Sequence, residues 1–122
     1  MSNHRRVTPQ ELFAGHPLAL QVLDRAQALL PGHVEVRTTA SQVALRRRRG
    51  FAWVWLPGQY LAHPAAEVVL SLALGREDTS PRWKQVAHPS PRHWVHHLEV
   101  RDVADLDEEV GGWLREAYER AG

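Results

Sequence analysis

The chain has 122 residues, of which 43% are hydrophobic and 24% charged, with a formal net charge of +1 and no cysteine. A chain of this length buries roughly two thirds of its unfolded surface, so it can build a core without disulfides or a structural metal. The absence of cysteine excludes disulfide scaffolds, cysteine-ligated zinc, iron–sulfur clusters and thiol nucleophiles. We predict a disordered tail at residues 1–7 and a single domain over residues 8–122.

The beginning of the domain has the pattern of two helices. Residues 8–11 fit a capping box, with threonine at the N-cap, proline at the first helical position and glutamate at the third. Gly15 interrupts this short helix, and Pro17 starts a longer one that Pro31-Gly32 ends. The apolar residues that recur at helical spacing in the longer helix are Leu18, Val22, Leu23, Ala26, Leu29 and Leu30.

After residue 32 the hydrophobic pattern changes to the period of β-strands. The runs that fit strands are residues 34–38, 42–48, 51–56, 68–74 and 93–100. The second and third runs meet at Arg49-Gly50, which predicts a hairpin, and residues 68–74 are apolar on both faces, which is typical of a central strand. The stretch from Trp83 to Val86 lies between prolines and is at best an edge strand.

The end of the chain has the pattern of a third helix. Residues 105–108 resemble a capping box, and one apolar face follows: Leu106, Val110, Trp113, Leu114, Ala117 and Tyr118. Gly111-Gly112 inside this helix costs about 1 kcal/mol per glycine, which suggests close packing. The order of elements predicts an α+β fold: an antiparallel sheet of four to five strands, with two N-terminal helices and one C-terminal helix packed mainly on one face.

Charge is distributed unevenly along the chain. Basic side chains outnumber acidic ones in residues 1–98, and acidic ones predominate in residues 99–122. This pattern fits solvated faces, an internal seam of ion pairs or self-association. No stretch approaches the ~20 apolar residues of a membrane span, and no signal-peptide pattern is present. We therefore expect a cytoplasmic protein.

Several segments carry a family resemblance. They are residues 34–37, the hairpin from Ser41 to Trp53, and residues 69–72, 80–84, 94–98 and 113–118. These segments resemble a family of short bacterial proteins known only as domain of unknown function 5655, over about residues 8–121. The resemblance implies a shared fold and a free-standing intracellular domain. It implies no established activity, substrate or catalytic residue.

The predicted hairpin contains four consecutive arginines, Arg46, Arg47, Arg48 and Arg49, just before Phe51, Trp53 and Trp55. Basic residues interleaved with aromatics are typical of nucleic-acid stacking surfaces. A two-residue turn would place arginines opposite the aromatics, whereas a three-residue turn ending at Gly50 would place the aromatics in the core. We favour the longer turn, because only Gly50 then needs a positive φ.

A second basic and aromatic segment is Arg82-Trp83-Lys84, which lies between prolines. Of the tryptophans outside the hairpin, we expect Trp83 to be the most exposed. Together with Arg92, this segment could hold an anionic ligand through charge and cation–π contacts; ordinary packing at a sheet edge is the alternative.

The histidines suggest a different kind of site. His93, His96 and His97 lie close together, but in a strand His96 points away from the other two. His97 and Glu99 share a face and would need ligands from another segment to bind a metal. Sequence motifs of known enzymes are absent, although Ser71, Ser80, His88 or His97 could meet in a Ser-His-acid arrangement.

We therefore predict a small non-enzymatic binding module without a cofactor. It would recognise an anionic partner, nucleic acid or a phosphate-bearing ligand, through Arg46 to Arg49, the Arg82-Trp83-Lys84 segment and Arg92. One alternative is a small metal-binding or hydrolytic protein that uses His96, His97 and Glu99. Another is a protein-interaction or homodimerisation domain.

Overall fold

A computed structural model of the chain describes residues 7–122. Except for Val7, the predicted N-terminal tail lies outside the described residues. The helices are α1 (Pro9–Leu12), α2 (Pro17–Ala28) and α3 (Glu108–Arg120). The strands are β1 (Glu35–Thr38), β2 (Gln42–Arg46), β3 (Gly50–Trp55), β4 (Val68–Leu74), β5 (Gln85–Ser90) and β6 (His93–Val100).

The strands form one six-stranded antiparallel sheet in the order β1-β2-β3-β4-β6-β5. The α+β prediction is confirmed, but the predicted count of four to five strands is wrong. The stretch predicted to be at best an edge strand, Trp83 to Val86, overlaps the edge strand β5 at Gln85 and Val86, and β5 continues to Ser90 through Pro89. Proline is tolerated there because β5 is an edge strand and its pairing with β6 is irregular between Ala87 and Ser90.

Side chains at the helix ends satisfy free backbone groups. Thr8 and Glu11 form the predicted capping box of α1. The predicted box at residues 105–108 is displaced, because Asp105 closes a separate 3-10 turn that Asp102 begins. Asp107 caps α3 instead, where its carboxylate accepts from the backbone N–H of Val110.

The long helices α2 and α3 pack on one face of the sheet. Leu70, Leu72 and Leu74 of β4 are fully buried in the core there, together with Val22 of α2 and Leu114 of α3. The opposite face, which we call the open face, has a different composition. It carries Ala44, Trp53, Ser71 and His97 across four neighbouring strands. Burial of the helix-side residues stabilises the fold, and the open face is where a ligand could reach the sheet.

The hairpin of β2 and β3 has a register that neither sequence alternative foresees. Arg46 pairs with Gly50 and Leu45 pairs with Ala52, so Phe51 is the extra residue of a β-bulge. The bulge turns Phe51 toward the helices, where its ring meets that of Tyr118 edge-on at 5.9 Å. The prediction that the aromatics join the core is therefore right for Phe51 and wrong for Trp53 and Trp55, which lie on the open face.

Among residues 7–122, no helix combines the length and the apolar composition needed to cross a bilayer.

Candidate functional site

The first two arginines of the hairpin are engaged within the molecule. Arg46 lies with its Nε atom 3.2 Å from a carboxylate oxygen of Glu35 on the neighbouring edge strand. Arg47 donates from Nη1 to the carbonyl of Tyr118 at 3.0 Å, and its guanidinium stands 4.0 Å from the centre of the Tyr118 ring. Arg47 therefore caps the C-terminus of α3, where unpaired carbonyl groups favour a cation.

The last two arginines of the hairpin are exposed. Arg48 donates its backbone N–H to the carbonyl of Ala121, and the residue is exposed. Arg49 lines a cleft of about 510 Å³ at the end of the sheet, together with Gly75, Arg92, His93 and Arg120. We call this feature the basic cleft. The structure thus brings Arg49 and Arg92 together, as two members of the predicted anion site.

Arg120 crosses the end of the sheet to reach the basic cleft. A Cβ atom on Gly75 would stand 2.9 Å from Nε of Arg120, so the absence of a side chain at Gly75 makes room for the guanidinium. Arg120 donates to the carbonyl of Arg92 and, over 2.9 Å, to Nδ1 of His93. Because a guanidinium only donates, Nδ1 of His93 accepts, and the His93 proton lies on Nε2.

The basic cleft is not neutralised by its surroundings. Within the described part of the chain, no carboxylate forms an ion pair with Arg49, Arg92 or Arg120. Burial, and to a smaller extent repulsion from Arg49, lower the pKa of Arg120. Both causes oppose the cationic form, and a bound anion would relieve the second one.

The Arg82-Trp83-Lys84 segment differs from its prediction. Trp83 is only 8% exposed, so the expectation that it is the most exposed of these tryptophans is wrong. Its ring lies 4.2 Å from that of Trp113 and 4.8 Å from that of His96. Burying the large apolar indole against α3 is favourable, and the charged neighbours on each side can still keep their head groups in solvent.

The charged neighbours of Trp83 have separate roles. Arg82 binds the carboxylates of Asp107 and Glu109 at 3.0 and 2.8 Å, and hydrogen bonding to Glu109 raises the pKa of the guanidinium. Lys84 is exposed, and its backbone N–H donates to the backbone carbonyl of His97, which extends the pairing of β5 with β6 by one residue. Arg82 and Trp83 thus fasten the β4–β5 connection to α3, and they lie outside the basic cleft.

His96 and His97 face opposite sides of the sheet. His96 is fully buried on the helix side, where Nε2 accepts from the backbone N–H of Asp78 and Nδ1 lies 3.1 Å from the Trp94 carbonyl. Burial lowers the pKa of His96. Because both ring nitrogens are occupied, His96 cannot join His97 and Glu99 in one metal site. In the described chain, no group of three or more His, Cys, Asp or Glu side chains is placed to hold a metal ion.

His97 belongs to a hydrogen-bonded chain on the open face. Trp55 donates from Nε1 to Oγ of Ser71 at 2.8 Å, and that hydroxyl lies 2.7 Å from Nδ1 of His97. Burial, and then the charge of His96, lower the pKa of His97, which favours the neutral ring. Ser71 is buried, and among the described residues Nδ1 of His97 is the one partner of Oγ that can accept its hydroxyl proton, since Trp55 only donates. We therefore assign the hydroxyl as the donor to Nδ1, which leaves the proton of the neutral His97 ring on Nε2.

The Ser71–His97 pair lacks the surroundings of a nucleophile. Ser71 is 3% exposed in the middle of β4, whose backbone pairs with β3 on one side and β6 on the other. These ladders take up the neighbouring backbone N–H groups, which would otherwise stabilise an oxyanion. The role of Ser71 is therefore to hold the His97 ring in its orientation.

A groove of about 390 Å³ lies on the open face beside this chain. Its walls are mainly aromatic: Trp53, Trp55, Tyr60 and His97, with Val95 and Gln42 among the other lining residues. Tyr60 is 67% exposed and meets the Trp55 ring at a steep angle, with the ring centres 6.0 Å apart. We call this feature the aromatic groove.

The family of the chain follows from comparison with known protein families. A family model described as a domain of unknown function, DUF5655, matches residues 11–121. The chain belongs to this family. The resemblance seen in the sequence is thereby confirmed, and membership of DUF5655 assigns no function. Searches of curated proteins and of solved structures found no significant match.

The sequence of this DUF5655 member leaves parts of both features hidden. Arg120 lies far along the chain from the other cleft arginines, and only the fold brings it beside Gly75. Tyr60 lies in a loop that carries no motif. The alternating aromatic residues of β3 are the one sequence signal for the groove. Because the sequence does not reveal the bulge at Phe51, the favoured register placed Trp53 and Trp55 on the core side of the sheet and not on the open face.

Proposed function

We propose that this protein is a small, non-enzymatic binding module that recognises a phosphate-bearing anion in the basic cleft. The observation that carries this proposal is the convergence of Arg49, Arg92 and Arg120 on one concavity, where no described carboxylate pairs with them. Guanidinium groups bind phosphate oxygens through charge-assisted and often bidentate hydrogen bonds.

Stabilisation of the C-terminus of α3 does not explain all of these cations. Arg47 already donates to the last turn of the helix, and the backbone of Arg48 binds the carbonyl of Ala121. Arg49 and Arg92 make no such side-chain contact with the helix, although they stand beside Arg120. Like charges that lie close together repel each other and destabilise the free protein, and a bound anion would offset this repulsion.

The proposed anion site therefore keeps only some of the residues that the sequence predicts. Arg49 and Arg92 remain, and Arg120 and His93 join them. The Arg82-Trp83-Lys84 segment is left out because Trp83 is buried and Arg82 is paired with carboxylates. The cytoplasmic location and the homodimerisation alternative stay predictions.

A double substitution tests the cleft. Inorganic pyrophosphate is the probe, and isothermal titration calorimetry measures its affinity for the wild type and for Arg49→Ala/Arg92→Ala. Each lost charged hydrogen bond is worth about 1.5–3 kcal/mol, so the double variant should bind about a hundredfold more weakly or worse. Salt should weaken wild-type binding, since exposed charges are screened.

The matched control removes two positive charges elsewhere. Arg37 and Arg101 pair with Glu35 and Glu99, and neither lines the basic cleft. Arg37→Ala/Arg101→Ala should bind pyrophosphate within about twofold of the wild type. Equal losses in both double variants, or no binding to the wild type, would overturn the proposal. A 5′-phosphorylated oligothymidine measured in parallel distinguishes a nucleic-acid backbone from a small ligand as the source of phosphate.

A further inference from the structure

We propose that the aromatic groove and the basic cleft together bind a mononucleotide, with its base in the groove and its phosphate in the cleft. This inference rests on the proposed function, because the basic cleft supplies the phosphate site. It adds the chemical class of the ligand and a second, independent set of contacts. Three features of the molecule support it: the aromatic lining of the groove, a hydrogen-bond donor directed into it, and the adjacency of the groove to the cleft.

The shape of the groove suits a flat ring. Trp53 and Trp55 lie two residues apart on the same face of β3, and with Tyr60 they give the groove a mainly aromatic lining. A flat ring can lie against such side chains at van der Waals distance over a large part of its surface. Aromatic side chains on an exposed sheet are also the usual stacking partners of nucleobases.

The groove also offers a directed hydrogen-bond donor. The chain from Trp55 through Ser71 places the proton of His97 on Nε2. Among residues 7–122, Nε2 of His97 has no hydrogen-bond partner. A purely apolar ligand would leave this donor unpaired, whereas a ring nitrogen or carbonyl oxygen of a nucleobase would accept from it. The open donor therefore favours a heteroaromatic ring over a hydrocarbon.

Two strands lead from the groove into the basic cleft. On β6, Val95 lines the groove and His93 lines the cleft, and their Cα atoms are about 6.8 Å apart on the same face. On β3, the Trp53 ring extends toward Gly50, where a Cβ atom would stand only 3.1 Å from Cζ2 of the indole. Gly50 follows Arg49 of the cleft. The groove and the cleft are therefore adjacent along two strands, and a ligand with a ring and a phosphate joined by one sugar could extend from one to the other.

Calorimetric titration with paired ligands tests the inference on the intact protein. The probes are the 5′-monophosphates of adenosine, guanosine, cytidine and uridine, with ribose 5-phosphate as the compound that lacks a base. At least one nucleotide should bind about tenfold or more tightly than ribose 5-phosphate, because stacking adds to the phosphate contacts. On binding, the indole N–H signals of Trp53 and Trp55 should shift in a ¹H–¹⁵N spectrum, and ribose 5-phosphate should leave them in place.

Substitutions in the groove separate the ring from the phosphate. Trp53→Ala should remove most of the advantage of the nucleotide over ribose 5-phosphate, and Trp53→Phe, which keeps a flat surface, should restore most of it. Both variants should bind pyrophosphate as the wild type does. Because Trp53 lies on the open face, outside the helix-side core, both variants should fold.

The possible results are distinguishable. If ribose 5-phosphate binds as tightly as every nucleotide while Arg49→Ala/Arg92→Ala still weakens both, the mononucleotide inference is wrong and the proposed function stands. If Trp53→Ala lowers affinity for pyrophosphate as well, the groove is not a separate base site and the inference is again wrong. If no phosphate compound binds in a manner that depends on the cleft arginines, both proposals fail.

Discussion

Adjacent residues of β6 acquire different chemistry because a strand sends them to opposite faces. His96 enters the core and uses both ring nitrogens on backbone groups, whereas His97 faces the groove and its Nδ1 accepts a hydrogen bond from the Ser71 hydroxyl. The alternation was predictable from the sequence. The partners were not, because Asp78 and Ser71 lie in other elements and only the fold determines which atoms they reach.

Burial of these two histidines predicts a pH-dependent stability. Burial lowers the pKa of both rings, so the unfolded chain binds protons more readily just below the ordinary histidine pKa of about 6.5. Stability therefore rises with pH in this window and falls as the pH is lowered through it. Hydrogen bonding from Arg82 lowers the pKa of Asp107, and, although burial opposes them, hydrogen bonds from Trp83, Ser80 and Arg76 lower that of Asp78, so both carboxylates titrate below this window.

Urea unfolding at several pH values between about 7.5 and 5.5 measures this effect. His97→Gln should show a weaker loss of stability on acidification than the wild type, since one buried titrating group is gone. His63→Gln, at an exposed loop position, should keep the wild-type dependence. An unchanged pH dependence in His97→Gln would show that His97 does not contribute.

At the scale of elements, the sequence was most informative where one period continues without interruption. The apolar run of residues 68–74 became the fully buried strand β4, and the capping signal at Thr8 began a helix. The errors lie where a local irregularity changes the side-chain direction. The bulge at Phe51 moves one aromatic into the core and leaves the next on the open face, and no residue type requires a bulge at that position.

The paired glycines of α3 turn out to have different environments. A Cβ atom on Gly111 would stand 3.2 Å from Nη1 of Arg115 and 3.3 Å from Cδ2 of Leu29 beside the end of α2, whereas one on Gly112 would meet nothing within 4 Å. The close packing predicted for the pair therefore exists at Gly111. Gly112 is exposed and helical, so its flexibility destabilises the helix without a compensating contact.

Alanine substitutions at these two positions should therefore differ. Gly112→Ala should raise the free energy of unfolding by about 0.5–1 kcal/mol, as alanine does in a helix interior. Gly111→Ala should gain less, because the Arg115 and Leu29 side chains must move by a few tenths of an ångström to admit the methyl group. Urea unfolding of both variants checks this order, and a larger gain at Gly111 would contradict the packing described.

At the scale of the whole molecule, the uneven charge of the sequence has a structural counterpart. The acidic residues of α3 and its N-cap bind arginines, with Glu116 on Arg76 and with Asp107 and Glu109 on Arg82. Of the three interpretations of the charge pattern, an internal seam of ion pairs therefore holds for this helix. The seam covers one side of α3, and Arg120 at its end lies in the basic cleft, where no carboxylate of residues 7–122 pairs with it.

The candidate site was only partly predictable because it forms between distant segments. The arginine run and Arg92 indicated positive charge, but burial decided against Trp83 and ion pairing against Arg82. Arg120 carries no local signal in the sequence. A helix that ends above the end of a sheet brings it to Arg49, and this relation depends on topology and not on sequence spacing.

The sheet topology predicts how stability is distributed over the molecule. All seven residues of β4 are buried, and β4 lies between two partner strands, whereas β1 and β5 are the edges and are largely exposed. Hydrogen exchange of a backbone amide requires local or global opening, which is least frequent in the central, buried strand. The amides of β4 should therefore exchange most slowly, and those of β1 and β5 fastest among the strands.

Native-state hydrogen exchange followed by NMR measures this order. The β4 amides should exchange only through global unfolding, so their protection should match the free energy from urea unfolding, whereas the edge strands open locally. A saturating nucleotide should slow exchange on the open face where β3 and β6 line the groove and leave β1 unchanged, since β1 touches neither the groove nor the cleft. Protection of β1 or β5 equal to that of β4 in the free protein would contradict this distribution of stability.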